Sequence, residues 1–280
     1  MELLYGKPVA QNILNSLKEE ILKCQKKPGL AVVLVGNDKA SHLYVNLKEK
    51  AAKEIGMRFD KILIEENIAE DELIGKIEQL NSDADIHGII VQLPLPKKLQ
   101  TQRVIDAISP EKDVDGFHPE NVALFEEGAG RFWPVFPQAI LRVAESSGEN
   151  LTDKFAMVIA NSKKFGEVMR SALQQRGITG DYVLSRDLSK ERDRISEADL
   201  VITAIGKAEV LGSGFFKENA IIIDGGISEK QGKVLGDVSI NELESYPGYL
   251  SPVPNGVGPV TIACLLENVY LAFKAQQKQN

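Results

Sequence analysis

Tyr44 and Lys48 stand four residues apart in the stretch Ser41-His-Leu-Tyr-Val-Asn-Leu-Lys48-Glu-Lys, which puts a phenol and an amine on one face of a helix. An amine carries protons near neutral pH only where burial or a neighbour lowers its proton affinity. The run before it, Leu30-Ala-Val-Val-Leu-Val-Gly36, is β-branched and bounded by Pro28-Gly29 and Gly36, so it predicts a buried strand of a parallel sheet. The pair then lies beyond that strand's carboxyl end, where open α/β sheets take their ligands. A Tyr and a Lys at this spacing also suit a solvated helix face, and the pair alone leaves both readings open.

The flanking elements support a sheet. Val9, Ile13, Leu17 and Ile21 recur every four residues, predicting an amphipathic helix over about 8–25 that ends at Pro28-Gly29. Gly56 closes the Tyr44/Lys48 helix, Phe59 to Ile64 reads as a strand, and a helix from near Glu70 carries Leu73, Ile77 and Leu80 on one side. Ile86 to Leu93 reads as a further buried strand, and Pro94-Leu-Pro96 gives it a stiff ending that fixes Gln92 at its carboxyl end. Strand-helix alternation of this kind implies a parallel sheet. The loop Glu111-Lys-Asp-Val-Asp-Gly-Phe-His118 reads either as a solvated turn or as a ligand loop.

The chain has 280 residues, 43% apolar and 26% charged, which suits a globular protein of two lobes. A net charge of -7 and a pI near 5.2 provide no basic field for nucleic acid or an anionic membrane, so a small-molecule partner is expected. Cys24 and Cys264 lack paired spacing and His42, His87 and His118 are scattered, which argues against a disulfide framework or structural zinc site and fits a reducing cytoplasm. The start reads as no signal peptide, and no apolar run approaches the length of a membrane span.

Phe132-Trp-Pro-Val-Phe-Pro137 reads as the crossing into the second lobe, entered by a helix over Gln138–Ser147. There the pattern repeats: strand Phe155–Ala160, helix Gly166–Gln175, strand Asp181–Ser185, a helix in 189–196, and strands Asp199–Ala204 and Ala220–Asp224. This predicts a Rossmann-type sheet. Its first turn, Ala160-Asn-Ser-Lys-Lys-Phe-Gly166, has one glycine where the dinucleotide fingerprint has three, while Gly206 and Gly225-Gly226 could let backbone approach a ligand. Ser251-Pro-Val-Pro-Asn-Gly-Val-Gly-Pro-Val-Thr261 leads into a helix with Ile262, Leu265, Leu266, Val269 and Phe273 on an apolar stripe.

Taken together, Ser41-x-x-Tyr44-Val-x-x-Lys48-x-Lys50-Ala51, Val91-Gln-Leu-Pro-Leu-Pro96, Lys112-Asp-Val-Asp-Gly-Phe-His-Pro119 with Asn121, and Pro252-Val-Pro-x-Gly-Val-Gly-Pro-x-Thr261 resemble the bifunctional methylenetetrahydrofolate dehydrogenase/methenyltetrahydrofolate cyclohydrolase (FolD) family. Asp224-x-Gly-Ile227 and Gly236-Asp-Val238 extend the resemblance over nearly the whole chain. It implies an α/β chain of two lobes: a three-layer parallel-sheet folate-binding catalytic domain, 1–134 with 256–280, and a Rossmann-type domain, 135–255, with the C-terminal helix returning to the first. It implies oxidation of 5,10-methylenetetrahydrofolate by NADP, NAD being the less favoured cofactor, and hydrolysis of the methenyl product to 10-formyltetrahydrofolate. Lys48, Tyr44, Gln92 and Asp115 are the implied catalytic residues, and Ser41, Tyr44, Asp115, Pro254, Gly256 and Gly258 the implied folate contacts. Ser162, Gly166, Arg186, Ala204, Gly206, Gly226 and Ile227 are the implied nucleotide contacts, with no metal.

The second lobe departs from the family's Gly-x-Ser-x-x-Val-Gly-x-Pro. Ala160, Phe165 and Val168 replace its first Gly, its Val and its Pro, Asn161 replaces a common arginine, and Glu167 stands where a base is frequent. Val135 and Phe136 alter the family's Pro-Cys-Thr-Pro-x-Gly, Gly225 replaces Val in Asp-Val-Gly-Ile, and Asn255 replaces Gly. The alternatives are therefore a cyclohydrolase without dehydrogenase activity, or a non-catalytic folate-binding paralogue. Arg186 after the second strand favours a 2'-phosphate and Asp187 a free 2'-hydroxyl. The resemblance, with an edge strand over Lys233–Gly236, points to a homodimer through the nucleotide lobe.

Overall fold

The computed structural model describes residues 1–278. Two compact units divide the chain: the first holds Gln11–Val135 and the helix residues from Ile262 on, the second Met1–Ala10 and Phe136–Thr261. Helices are α1 (Gly6–Leu22), α2 (Lys39–Glu54), α3 (Glu70–Ser82), α4 (Thr101–Asp106), α5 (Pro119–Glu126), α6 (Val135–Glu145), α7 (Lys163–Gln175), α8 (Arg192–Ser196) and α9 (Val257–Gln277). Strands are β1 (Glu2–Leu3), β2 (Gly29–Val35), β3 (Arg58–Ile64), β4 (Gly88–Val91), β5 (Phe155–Ala160), β6 (Thr179–Leu184), β7 (Leu200–Ala204), β8 (Ile221–Asp224), β9 (Ser228–Lys230), β10 (Lys233–Leu235) and β11 (Tyr249–Ser251).

The first unit is built on a parallel sheet of order β3-β2-β4. Every residue of β2 is buried, as its continuous apolar run requires. Ala31, Val33 and Val35 pack with Leu73 and Ile77 of α3 and Ile89 and Val91 of β4 in one core. Because the chain passes from β2 to β3 on one side and then to β4 on the other, the order reverses at β2. The carboxyl ends of β2 and β4 therefore flank a crevice of the kind in which open α/β sheets bind ligands.

The second unit has a parallel sheet of order β1-β11-β8-β7-β5-β6. Its order reverses between β5 and β7, which places the equivalent crevice at the ends of those strands. Two of its strands escape sequence periodicity, since β1 and β11 have two and three residues. Their pairing, Glu2 with Tyr249 and Leu3 with Leu250, draws Met1–Ala10 into the second unit, and residues 256–261 belong there as well. The sequence grouping of 1–134 with 256–280 differs from the packing at both ends for that reason. The expected edge strand at 233–236 is instead half of a separate antiparallel hairpin, β9-β10. One helix, α9, does have the length and composition to cross a membrane, contrary to the sequence expectation. Ala263, Cys264, Leu266, Val269, Ala272 and Phe273 along it are fully buried, as in a core helix.

Candidate active site

Helix α2 starts at Asp38, whose carboxylate accepts from the Ser41 amide at 2.7 Å. Ser41 is buried, Tyr44 and Lys48 are half-buried, and the spacing aligns all three on the side of the helix that Val45 and Ala52 anchor. Gln92 follows β4 directly, and its amide continues the parallel ladder by donating to Val33 O at 2.8 Å. The Gln92 side-chain NH2 donates to Leu93 O at 2.8 Å, which turns its carbonyl outward, and Lys48 Nζ donates to that carbonyl at 2.7 Å. The peptide bond from Leu93 to Pro94 is cis.

The acidic loop separates into one structural and one available carboxylate. Asp113 is buried and accepts from the amides of Gly116 (3.2 Å), Phe117 (3.3 Å) and His118 (2.8 Å) and from Asn121 Nδ2 (2.9 Å). Four donors consume its lone pairs. Lys112 is buried too and donates to Leu80 O and Asp83 O, which leaves it a helix-end partner of α3. A parallel bridge joins Asp113 to Ile89, so by the same register Asp115 lies level with Val91, at the end of β4. The Asp115 carboxylate accepts no hydrogen bond from the described residues.

Burial raises the pKa of Asp115 to about 6, with the charge of Asp113 adding and that of Lys48 opposing. Burial likewise lowers the pKa of Lys48, and Asp115 partly counteracts it. An amine with reduced proton affinity beside an acceptor carbonyl and an unpaired carboxylate can move a proton at an adjacent carbon. Ser41, Tyr44, Lys48, Gln92 and Asp115 all belong to the first unit, whereas Pro254, Gly256 and Gly258 belong to the second. Pro254 follows a second cis bond, Gly256 is buried, and Gly258 lies in the first turn of α9. Asn255, which replaces the family's glycine, has φ 84°, a left-handed conformation that Asn tolerates better than most residues.

In the second unit α7 begins at Lys163, three residues earlier than the glycine suggests. Ser162 caps it, its Oγ accepting from the Phe165 amide at 3.3 Å. Gly166 then packs on β6: a Cβ there would stand 2.4 Å from the Tyr182 ring. Arg186 sits in a 3-10 turn, exposed, with Nε 3.5 Å from Asp187 Oδ2, and Lys163 Nζ stands 3.4 Å from Glu167 Oε1. Arg186 and Lys163 thus each already face a carboxylate. Ala204 closes β7, Gly206 has φ 75°, and Ile227 beyond β8 is half exposed.

Three of the departures from the family pattern compensate one another. The Phe136 ring stacks on Phe165 at 5.3 Å between centroids, and a Cβ on Gly225 would stand 2.7 Å from Phe136 Cζ. A valine at 225 and a phenylalanine at 136 exclude each other. The glycine makes room for the larger ring.

A parallel sheet with its crevice at β2/β4, and a second with its crevice at β5/β7, define a two-unit α/β enzyme with a lysine of lowered proton affinity in one unit and a dinucleotide-type sheet in the other. Residues 4–115 match the catalytic domain of the tetrahydrofolate dehydrogenase/cyclohydrolase family, and residues 134–277 its NAD(P)-binding domain. The chain is 39% identical to the Bifunctional protein FolD of Brevibacillus brevis over 99% of both chains. The bifunctional FolD structure from Campylobacter jejuni superposes with a TM-score of 0.90 at 37% identity, covering 100% of each chain. That of Trypanosoma brucei, complexed with NADP cofactor and inhibitor, gives 0.92 at 29% identity over 99% of this chain and 98% of its own. The chain belongs to the tetrahydrofolate dehydrogenase/cyclohydrolase family, and one-carbon folate interconversion is its chemistry.

Proposed function

We propose that Lys48, Gln92 and Asp115 carry the hydrolysis of 5,10-methenyltetrahydrofolate to 10-formyltetrahydrofolate, and that the second unit binds NADP for the preceding oxidation of 5,10-methylenetetrahydrofolate. The observation that carries this reading is the 2.7 Å bond from Lys48 Nζ to a Gln92 carbonyl fixed by its own amide. In its neutral form the Lys48 amine takes a proton from the water that attacks the methenyl carbon and returns it to the ring nitrogen as the carbon-nitrogen bond opens, while the second water proton is released to solvent as the hydroxyl becomes the formyl carbonyl. Gln92 holds the amine in place through both steps. Asp115, ionised above about pH 6, accepts hydrogen bonds from the N–H donors of the pterin, and the Tyr44 ring flanks it.

NADP, when bound, accepts the hydride. The α7 amino terminus at Ser162, the backbone at Gly206 and Gly226, and the base at Arg186 are the groups suited to hold it, as anion-binding amides, close-approach backbone and a 2'-phosphate partner. The nicotinamide partner of the Trypanosoma brucei relative supports NADP. The working form is a homodimer through the second unit.

A second reading, hydrolysis without oxidation, is favoured by one observation: Asn161 and Glu167 occupy the nucleotide turn where relatives place bases, and Glu167 engages Lys163. Purified protein given methylenetetrahydrofolate with NADP, with NAD and with neither separates the two. Appearance of methenyl absorbance with NADP supports the bifunctional reading. Loss of supplied methenyltetrahydrofolate without any such appearance leaves the hydrolase alone.

A further inference from the structure

The second unit encloses two carboxylates that no step above uses. Asp237 is fully buried and accepts four hydrogen bonds: from Thr203 Oγ1 (2.7 Å) and the Ile205 amide (2.7 Å) at Oδ2, and from the amides of Gly206 (2.9 Å) and Lys207 (2.9 Å) at Oδ1. These donors are the end of β7 and the three residues after it, which form one wall of the crevice at the β5/β7 reversal. Asp237 is held in turn by Asp224, at the end of β8, which accepts from the amides of Gly226 (3.0 Å), Asp237 (3.1 Å) and Val238 (2.9 Å). A Cβ at Gly226 would stand 2.1 Å from the Asp237 carboxylate, so the turn after β8 is pressed against the same group. One carboxylate therefore sets the backbone path beyond both strands.

We propose that Asp237 is a positioning residue for the nucleotide: by gathering the amides of 205–207, and through its contact with Gly226, it fixes the two turns whose backbone approaches the dinucleotide. The inference rests on the reading of this unit as the NADP-binding one. A buried carboxylate with four donors is the group suited to such a task. It holds the loop's donors inward by charge-assisted bonds, while the opposite face of the loop remains available to a ligand. An amide of the same size cannot replace it, because one of its two positions donates instead of accepting.

The full-length Asp237→Asn protein tests this. In that variant either the Ile205 amide or the Gly206 and Lys207 amides lose their acceptor, which at a buried site costs enough to weaken NADP binding about tenfold or more. Calorimetric titration with NADP is expected to show that loss and steady-state assays a matching rise in KM for NADP. The kcat at saturating NADP and the hydrolysis of methenyltetrahydrofolate should stay near the parent values, since Lys48, Gln92 and Asp115 belong to the first unit. A merely structural role would lower both activities together with the melting temperature, and that pattern, or NADP affinity equal to the parent's, overturns the proposal. Should Asp237→Asn fail to fold, Thr203→Val removes a single donor to the same carboxylate. Its NADP affinity is expected to fall severalfold, and an unchanged affinity overturns the proposal. A parent chain that hydrolyses methenyltetrahydrofolate yet binds no NADP would defeat the functional reading and this inference with it. NADP binding by the parent with an indifferent Asp237→Asn defeats this inference alone.

Discussion

At Lys48 burial is the dominant influence, lowering the proton affinity of the amine, and the Gln92 carbonyl accepts its hydrogen bond and so orients it. Lys48→Met keeps most of the aliphatic stem and removes the proton carrier. It should leave the fold intact and cut methenyltetrahydrofolate hydrolysis by a factor of about 100 or more, the ordinary contribution of a positioned acid or base. Hydrolysis at the parent rate, followed by loss of methenyl absorbance, would reject the assignment. Asp115 adds a pH signature. Its carboxyl, raised to about 6, must be ionised to accept from the pterin, so kcat/KM for folate should fall as pH drops through 6. Asp115→Asn should be weak at every pH and lack that inflection. Stability runs the other way. Between the ordinary carboxylate value and about 6 the native chain holds this proton more tightly than the unfolded chain, so the group's contribution declines as pH rises across that window. Denaturant midpoints of parent and Asp115→Asn measured from pH 4 to 7 should converge toward the acid end. At the nucleotide site, Arg186→Ala should reduce activity with NADP more than with NAD, because only NADP carries the phosphate that an exposed guanidinium can meet. Equal losses with both cofactors would reject that role.

At the scale of elements, the nucleotide turn is repacked around aromatic rings. Gly225→Val alone drives a side chain into Phe136 and should destabilise by about 1–3 kcal/mol, the usual cost of overpacking. Combined with Phe136→Thr, which restores the family's pairing, the same substitution should cost much less, and a double-mutant cycle by chemical denaturation should show a favourable coupling. Additive losses would mean that the two positions do not share the space. This coupling was invisible in the chain, where 136, 165 and 225 look like three unrelated departures. The principal strands β2, β5, β7 and β8 were legible because each is a continuous apolar run long enough to be read. Strands of two or three residues carry no period, so β1 and β11 were missed, and the N-terminal residues were grouped with the other unit. Lys48 and Gln92 could be paired only through family resemblance, since 44 residues separate them. Among the three acids of the 111–118 loop nothing in the spacing says which is buried under four donors and which is left open. Asp237 stood in a recognised motif without a role, because its partners are mainly backbone amides, which residue identity does not reveal.

The molecule distributes its chemistry between two units of different sheet order, and among the described residues the second alone carries a hairpin outside its sheet. A two-stranded hairpin is marginal in water unless something packs on it. In β9-β10 neither strand pairs with the six-stranded sheet, and Val234 at the centre of β10 is 42% exposed. Ile240, a few residues on, is 39% exposed. Apolar side chains on an open hairpin favour being covered, and a two-fold contact with a second copy of the chain would let each hairpin cover the other's exposed face. The parent protein is therefore expected to sediment at micromolar concentration with twice the 30.7 kDa mass of one chain. Val234→Glu would place a charge in the centre of that contact, so it should shift the protein toward the monomer without altering the isolated hydrolysis step, whose residues belong to the first unit. Sedimentation of the parent as a monomer would refute the assembly. A Val234→Glu protein that remained fully dimeric would place the contact away from this hairpin.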